Sequence, residues 1–181
     1  MSTDMATDTG QALARQLREK SIIRDAAVLD GPGPGLTVMV VRQGYRPGPV
    51  FRDLVMRAAG ERAEAILVAI VPQIPRDALG ALDEPAAREV ARERALILRY
   101  EPPASEVERC LAGLVRQVLP QSAVSMTDDL VSLGGDSLVA VELVELIGEQ
   151  WHIEISASDL FAAESIRDMA TVIARSAGSP P

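Results

Sequence analysis

The chain has 181 residues, of which 48% are hydrophobic, 3% aromatic and 24% charged, with a formal net charge of −8. This composition favours one or two small, folded, helix-rich domains and argues against an intrinsically disordered protein. One cysteine and one histidine exclude a disulfide framework and a multi-histidine metal site. No apolar run is long enough to span a membrane and the N-terminus lacks signal-peptide features, so we expect a cytoplasmic protein.

The first hundred residues predict a small α+β domain. A helical pattern covers 9–20, strand candidates follow at 26–29, 36–41 and 65–71, and a helix runs from Pro49 to Gly60. The charged, alanine-rich segment 84–98 predicts a solvent-exposed helix. The prolines at 102–103 break this pattern, so we predict an N-terminal domain at 1–100 and a C-terminal domain at 104–178.

From Ser105 onward the predicted elements are all helices. Ser105 and Glu108 have the spacing of a capping box, and Pro120 closes the helix that this box begins. After a loop up to Gly135, further helices are predicted at 137–150, around 159–161 and at 166–174. We therefore predict an all-α C-terminal domain.

The negative charge is concentrated in this C-terminal part. Residues 105–177 contain twelve acidic side chains and four arginines, whereas the rest of the chain is neutral. A negative surface repels nucleic acid and attracts basic protein surfaces. We therefore expect protein partners, with no nucleic acid and no membrane among them.

A glycine-rich turn precedes the second predicted helix of the C-terminal domain. Its residues are Leu133-Gly134-Gly135-Asp136-Ser137-Leu138. The glycines permit a sharp turn, while Asp136 and Ser137 are good N-cap residues. A serine at a helix start lies where unpaired backbone N–H groups and the helix dipole favour an anion such as a phosphodiester. The lone His152 lies beyond this helix, so nothing nearby would activate Ser137 as a nucleophile; by itself, the motif is also consistent with a turn that only caps a helix.

The wider sequence around this turn resembles the phosphopantetheine site of acyl and peptidyl carrier proteins. The similar segments are 128–143, which reads DDLVSLGGDSLVAVEL, and 153–161 with 165–170, which resemble the rest of that four-helix fold. The doubled glycine is more similar to the peptidyl carriers (thiolation domains) of nonribosomal peptide synthetases. The resemblance implies that Ser137, flanked by Gly135 and Asp136, receives a 4′-phosphopantetheine arm from coenzyme A through a Mg²⁺-dependent phosphopantetheinyl transferase. It also implies a carrier with no catalysis of its own.

Apolar and acidic residues follow Ser137 on one face of the helix. Leu138, Val141, Glu142 and Glu145 resemble the surface by which carriers dock on basic partner enzymes. The alternative is that the two glutamates are ordinary solvated charges. We expect charge reversal at both to weaken modification or loading if they serve in docking.

Two segments of the N-terminal part resemble the C-terminal subdomain of adenylation enzymes. They are 22–28, which reads IIRDAAV, and 71–83, which is similar to the final motif L-P-x-T-x-x-G-K-x-D-R. The lysine of that motif falls on Ala81 and its arginine on Glu84, and Lys20 is the only lysine in the chain. Because acyl-adenylate formation needs a cation near the α-phosphate, the resemblance implies a noncatalytic subdomain. The alternative is an unrelated small α+β domain.

These observations together predict a carrier protein of secondary metabolism. It would hold an aminoacyl or acyl group as a thioester on the arm and exchange it with a separate adenylating or acyl-loading enzyme and with downstream tailoring or condensation enzymes. In a first alternative, the N-terminal domain complements a separate truncated adenylation enzyme, so that the pair activates and loads the substrate. In a second, the chain is an interaction module whose Ser137 is never modified.

Overall fold

The computed structural model describes residues 2–31, 35–60, 66–120 and 123–178, with side chains described from residue 10 onward. The chain divides into two compact units, called here unit 1 (Met1–Arg99) and unit 2 (Tyr100–Pro181). Within the described residues, no helix is both long enough and apolar enough to cross a bilayer.

The described part of unit 1 is a four-stranded sheet with three helices. Its elements in chain order are α1 (Ser2–Arg18), β1 (Ile23–Asp30), β2 (Leu36–Arg42), α2 (Gly48–Ala59), β3 (Ile66–Ile70), α3 (Glu84–Arg94) and β4 (Leu96–Leu98). The strand order is β1-β2-β3-β4. β1 pairs antiparallel with β2, β2 parallel with β3 and β3 antiparallel with β4. The parallel pair requires a crossover connection, which α2 provides.

Both faces of this sheet are buried, which explains why β2 is almost continuously apolar. On one face Val38 and Val40 pack against Phe51 and Val55 of α2 and against α1. On the other face Met39 belongs to a second cluster that includes residues of α3. The sequence predictions for the strands at 26–29 and 36–41 and for the helix beginning near Pro49 are confirmed. The predicted start of the third strand, Ala65, lies outside the described residues.

The prediction of one helix over 84–98 is wrong at its C-terminal end. α3 ends at Arg94, and the last three residues form β4 instead. Leu96 pairs with Ile70 of β3, and Leu98 pairs with Val68 and packs against the core. Pairing with a strand distant in the sequence therefore overrides the local helical pattern of charged residues and alanine.

The described part of unit 2 contains helices and no strand. The helices are α4 (Glu106–Val118), α5 (Ser137–Trp151), α6 (Ala157–Ala162) and α7 (Ile166–Gly178). Buried side chains from all four helices meet in one core, together with residues of the loop between α4 and α5. The predicted capping box at the start of α4 is confirmed, because the Ser105 hydroxyl accepts from the Glu108 amide and the Glu108 carboxylate accepts from the Ser105 amide.

The segment before α4 is fixed to unit 2 by hydrogen bonds. The Glu101 amide donates to Oγ of Ser125 at 2.9 Å, and the Glu101 carbonyl accepts from the Met126 amide at 2.9 Å. Arg167 of α7 binds the Glu101 carboxylate at 2.8 Å and the Glu108 carboxylate at 3.1 Å. The ordered structure of unit 2 therefore includes Glu101, which precedes the first helix.

Candidate functional site

The loop that leads into α5 is held by two buried leucines and by its own backbone. Leu130 and Leu133 are buried in the core of unit 2. The Gly134 amide donates to the Val131 carbonyl at 2.9 Å, and the Gly135 amide donates to the Leu130 carbonyl at 2.8 Å. The loop therefore delivers the chain to the start of α5 in a fixed direction.

The two glycines of the motif are required for different reasons. Gly134 has a φ of 91°, a conformation that side-chain-bearing residues rarely adopt. Gly135 lies so close to Leu130 that an added Cβ would be 2.6 Å from Leu130 Cγ and 2.8 Å from its carbonyl oxygen. Gly134 thus provides the turn, and Gly135 permits the close approach to the core.

Asp136 is the N-cap of α5, and Ser137 is the first residue of the helix. Oδ1 of Asp136 accepts hydrogen bonds from the amides of Leu138 and Val139, each at 3.0 Å. The Ser137 side chain is exposed. The expectation that unpaired amides surround this serine is therefore corrected, because the Asp136 carboxylate already occupies two of them. A phosphodiester on Ser137 would lie beside a negative side chain, so a covalent bond would have to hold it.

No histidine among the described residues is close enough to activate Ser137. His152 is the C-cap of α5, in the left-handed conformation with a φ of 56°. Fifteen residues of helix place it about 22 Å from the serine. Among the described residues there is no cluster of three or more histidine, cysteine, aspartate or glutamate side chains that could bind a metal ion. Among the described residues, Ser137 therefore has neither a histidine nor such a metal-binding cluster beside it.

The residues expected to form a docking surface lie on the exposed side of α5. Leu138 and Val141 are 74% and 47% exposed, and Glu142 and Glu145 are exposed as well. Leu143 and Ile147, on the opposite side, are fully buried. One helix therefore presents apolar and acidic side chains to solvent immediately after Ser137.

Two further exposed apolar residues of unit 2 were not singled out from the sequence. They are Val131, which is 60% exposed in the loop before α5, and Phe161, which is 37% exposed in α6. Helical periodicity could not identify them, because one lies in a loop and the other in a helix of six residues.

In unit 1, Ala81, the residue predicted to replace the adenylation lysine, lies in the loop before α3. Arg76 binds both carboxylate oxygens of Asp25, at 2.8 and 2.9 Å, and also donates to the carbonyl of Gly80. The Asp77 carboxylate accepts from the Ala81 amide at 2.9 Å. Ala81 is exposed and contributes only a methyl group, while the neighbouring Arg76 is already in an ion pair.

Comparison with known proteins identifies a family for most of unit 2. Residues 109–173 match the family model described as the phosphopantetheine attachment site. Bacitracin synthase 2 from Bacillus licheniformis is 30% identical over 103 residues, covering 57% of this chain and 4% of that protein. Phenyloxazoline synthase MbtB from Mycobacterium sp. (strain MCS) is 30% identical over 157 residues, covering 80% of this chain and 14% of that protein.

A solved structure of the phosphopantetheine transferase Sfp with coenzyme A and a peptidyl carrier protein also matches. The matched chain is 28% identical, covers 42% of this chain and 99% of its own length, and superposes with a TM-score of 0.41. The present chain spans only a small fraction of the synthases it matches. The family match includes the loop, the Gly134–Gly135 turn and the start of α5. Residues 109–173 therefore belong to the phosphopantetheine attachment family, and unit 2 contains a carrier domain of the peptidyl carrier (thiolation) type.

Proposed function

We propose that this protein carries an aminoacyl or acyl group as a thioester on a 4′-phosphopantetheine arm attached to the Ser137 hydroxyl. The observation that carries the proposal is the exposed Ser137 at the first position of α5, inside a domain of the phosphopantetheine attachment family. Gly135 and Asp136 position this serine through close packing and helix capping. We place the carrier domain at 104–178, as an all-α four-helix bundle, and a separate α+β domain at 1–100.

The proposed partners follow from this role. A phosphopantetheinyl transferase would transfer the arm from coenzyme A, and an adenylating or acyl-loading enzyme would charge its thiol. Condensation or tailoring enzymes of nonribosomal-peptide-type biosynthesis would then take the acyl group, in the cytoplasm. The carrier domain itself would perform no catalysis, as expected for the family that residues 109–173 match.

The attachment site can be tested by intact mass spectrometry. The full chain is incubated with coenzyme A, Mg²⁺ and a phosphopantetheinyl transferase of broad specificity. We expect a mass increase of one phosphopantetheine group, which the Ser137→Ala variant lacks. Ser158→Ala is the matched control, since Ser158 is another exposed serine in the first turn of a helix. No mass increase in the folded wild-type chain would contradict the proposal and favour an interaction module.

We further propose that Leu138, Val141, Glu142 and Glu145 form the surface that partner enzymes recognise. Their exposure next to Ser137 supports this role. Exposed acidic side chains accelerate association with basic surfaces, and salt weakens this effect. The apolar pair would then supply the buried contact of the complex.

For unit 1 we propose a noncatalytic relative of the adenylation C-terminal subdomain. Because the similarity to MbtB covers 80% of the chain, it must extend beyond unit 2 into unit 1. At Ala81 the exposed methyl group cannot offset negative charge on an α-phosphate. Unit 1 would then position the carrier domain and take no part in acyl activation.

The same similarity supports a second candidate, in which unit 1 completes a separate adenylation enzyme that lacks its own small subdomain. The two candidates differ in a measurable way. Candidate partner enzymes are assayed for ATP–pyrophosphate exchange with the full chain and with a chain that lacks residues 1–100. Stimulation that disappears with this deletion favours the second candidate, and equal rates favour a purely positioning role.

A further inference from the structure

The strand β1 forms one edge of the sheet in unit 1, and every second residue of it directs its backbone polar groups away from β2. In an antiparallel pair, hydrogen-bonded and non-hydrogen-bonded residue pairs alternate. The Gly31 amide donates to the Gly35 carbonyl at 2.8 Å, which marks one bonded pair. Counting back in the observed register, Val28 opposite Val38 is a non-bonded pair. The N–H and C=O groups of Val28 therefore point to the open edge.

Two arginines confirm this direction, because they bind the outward carbonyls on either side of Val28. The Ala26 carbonyl accepts from Nε of Arg18 at 3.0 Å, and the Asp30 carbonyl accepts from Nη1 of Arg88 at 2.8 Å. Between them, the outward groups of Val28 have no hydrogen-bond partner within the described part of the chain. The occupied carbonyls of Ala26 and Asp30 disfavour the addition of a long strand, and covered edges of this kind protect against aggregation. A short extended segment could still pair at Val28.

An open cleft of about 450 Å³ lies along this edge. The helix α1 forms one wall with Gly10 and Ala14, and the loop before α3 forms the other wall with Ala81 and Leu82. These side chains are small except for the leucine, so the cleft leaves room for a peptide beside Val28. The unpaired backbone groups therefore lie inside a cleft and are not on a flat surface.

The lining of the cleft contains three arginines and two acidic residues. Arg18 and Arg76 share the single carboxylate of Asp25, at 3.2 and 2.8 Å. Arg15 also lines the cleft, and among the described residues it has no ion pair. The acidic residues of the lining are Asp30 and Glu84, of which the latter pairs with Arg88. An acidic side chain near Arg15 would therefore be favoured.

We propose that this cleft binds a short, extended, acidic segment of a partner protein, which adds to the β1 edge at Val28. The partner's backbone would donate to the Val28 carbonyl and accept from the Val28 amide, as in other cases of strand addition. A glutamate or aspartate of the segment would face Arg15. This interaction surface belongs to unit 1 and is independent of the arm proposed at Ser137.

A library of displayed random heptapeptides, selected against the full chain, tests this proposal. We expect enrichment of sequences that combine β-branched residues with glutamate or aspartate. Binding of synthetic, fluorescein-labelled versions is measured by fluorescence anisotropy. N-methylation of the peptide amides, one at a time, should weaken binding about tenfold or more at the residue that pairs with Val28. No enrichment of acidic peptides, or binding unaffected by every N-methyl group, would overturn the proposal.

Variants of the chain provide the complementary test. Val28→Pro removes the outward N–H without removing a ladder hydrogen bond, whereas Val28→Thr keeps this N–H. We expect Val28→Pro to weaken peptide binding about tenfold, Arg15→Glu to weaken it about fivefold, and Val28→Thr and Ser137→Ala to leave it unchanged. Where circular dichroism shows that Val28→Pro does not fold, Arg15→Glu and the N-methylated peptides decide. A dimer in sedimentation experiments that Arg15→Glu disrupts would identify a second copy as the occupant and refute the proposed partner.

Discussion

Replacement of Gly135 by alanine should destabilise unit 2 more than the same replacement at Gly134. A Cβ at Gly135 would lie 2.6 Å from Leu130 Cγ and 2.8 Å from the Leu130 carbonyl oxygen, well inside the ordinary contact range of 3.4–4 Å. Leu130 is 2% exposed, so its side chain cannot move aside into solvent. A Cβ at Gly134 meets no atom within 4 Å, and only its φ of 91° opposes the substitution.

The expected magnitudes follow from these contacts. Overpacking of a core costs about 1–3 kcal/mol, and displacement of Leu130 would also weaken the hydrogen bond from the Gly135 amide, which contributes roughly 1 kcal/mol. We therefore expect Gly135→Ala to lower the free energy of unfolding by about 2–4 kcal/mol. Alanine in a left-handed conformation costs about 1–2 kcal/mol, which is the expected effect of Gly134→Ala.

Trp151 allows unit 2 to be followed on its own. It is the only tryptophan of the chain and packs, partly buried, against the core of unit 2. Urea unfolding monitored by its fluorescence gives the free energy of unfolding for each variant, and the rate of phosphopantetheine transfer to the same variants reports the loop geometry. A Gly135→Ala variant within about 0.5 kcal/mol of wild type, or less affected than Gly134→Ala, would refute the reasoning.

Three further predictions concern the same unit. Asp136→Ala removes the acceptor for two amides and should lower the free energy of unfolding in urea by about 0.5–2 kcal/mol. Asp136→Asn should retain most of this stability, and equal losses in the two variants would contradict the capping role. Burial acts to raise the pKa of Glu108, but hydrogen bonds from the Ala104 and Ser105 amides and from Arg167 lower it overall. The ionised Glu108 carboxylate therefore stabilises the folded state at pH values above its unfolded-state pKa. This stabilisation is lost as the pH falls through the lowered folded-state pKa. Glu108→Gln should therefore be roughly 1 kcal/mol less stable near pH 7 and approach wild type as the pH falls below this lowered pKa; a difference independent of pH would contradict this. Reversing the charges of Glu142 and Glu145 should slow phosphopantetheine transfer several-fold at low salt and less at higher salt. Glu149→Lys, at the far end of α5, is the control. Unchanged rates at both salt concentrations would contradict the docking role.

Local signals in the sequence predict the helix starts of unit 2 well. The Ser105–Glu108 capping box and the Asp136 N-cap depend on residues within three positions of each other, so spacing alone reveals them. The exposure of Ser137 follows from its place in the first turn of a helix whose buried side is set by apolar periodicity. Its chemical role, in contrast, depends on resemblance to a family, since a capped helix start has many uses.

Contacts between distant residues account for what the sequence did not reveal. β4 forms because Leu96–Leu98 reach a strand about thirty residues earlier, whereas charge and alanine content favour continuation of α3. The steric reason for Gly135 depends on where Leu130 lies, and the binding of Arg167 to Glu101 and Glu108 spans more than fifty residues. No periodic pattern encodes such pairings.

The hydrogen bonds of Glu101 also matter to anyone who wishes to transplant this carrier domain into a synthase. A graft that begins at residue 104 would leave the Glu101 backbone behind, and the buried Met126 would lose its amide's acceptor while Ser125 would lose a donor. A junction placed after Leu98, the last residue of β4, would keep both bonds with the transplanted piece. For domain exchange, Arg99 and Tyr100 are therefore the natural cutting point, even though the first helix of the carrier begins several residues later.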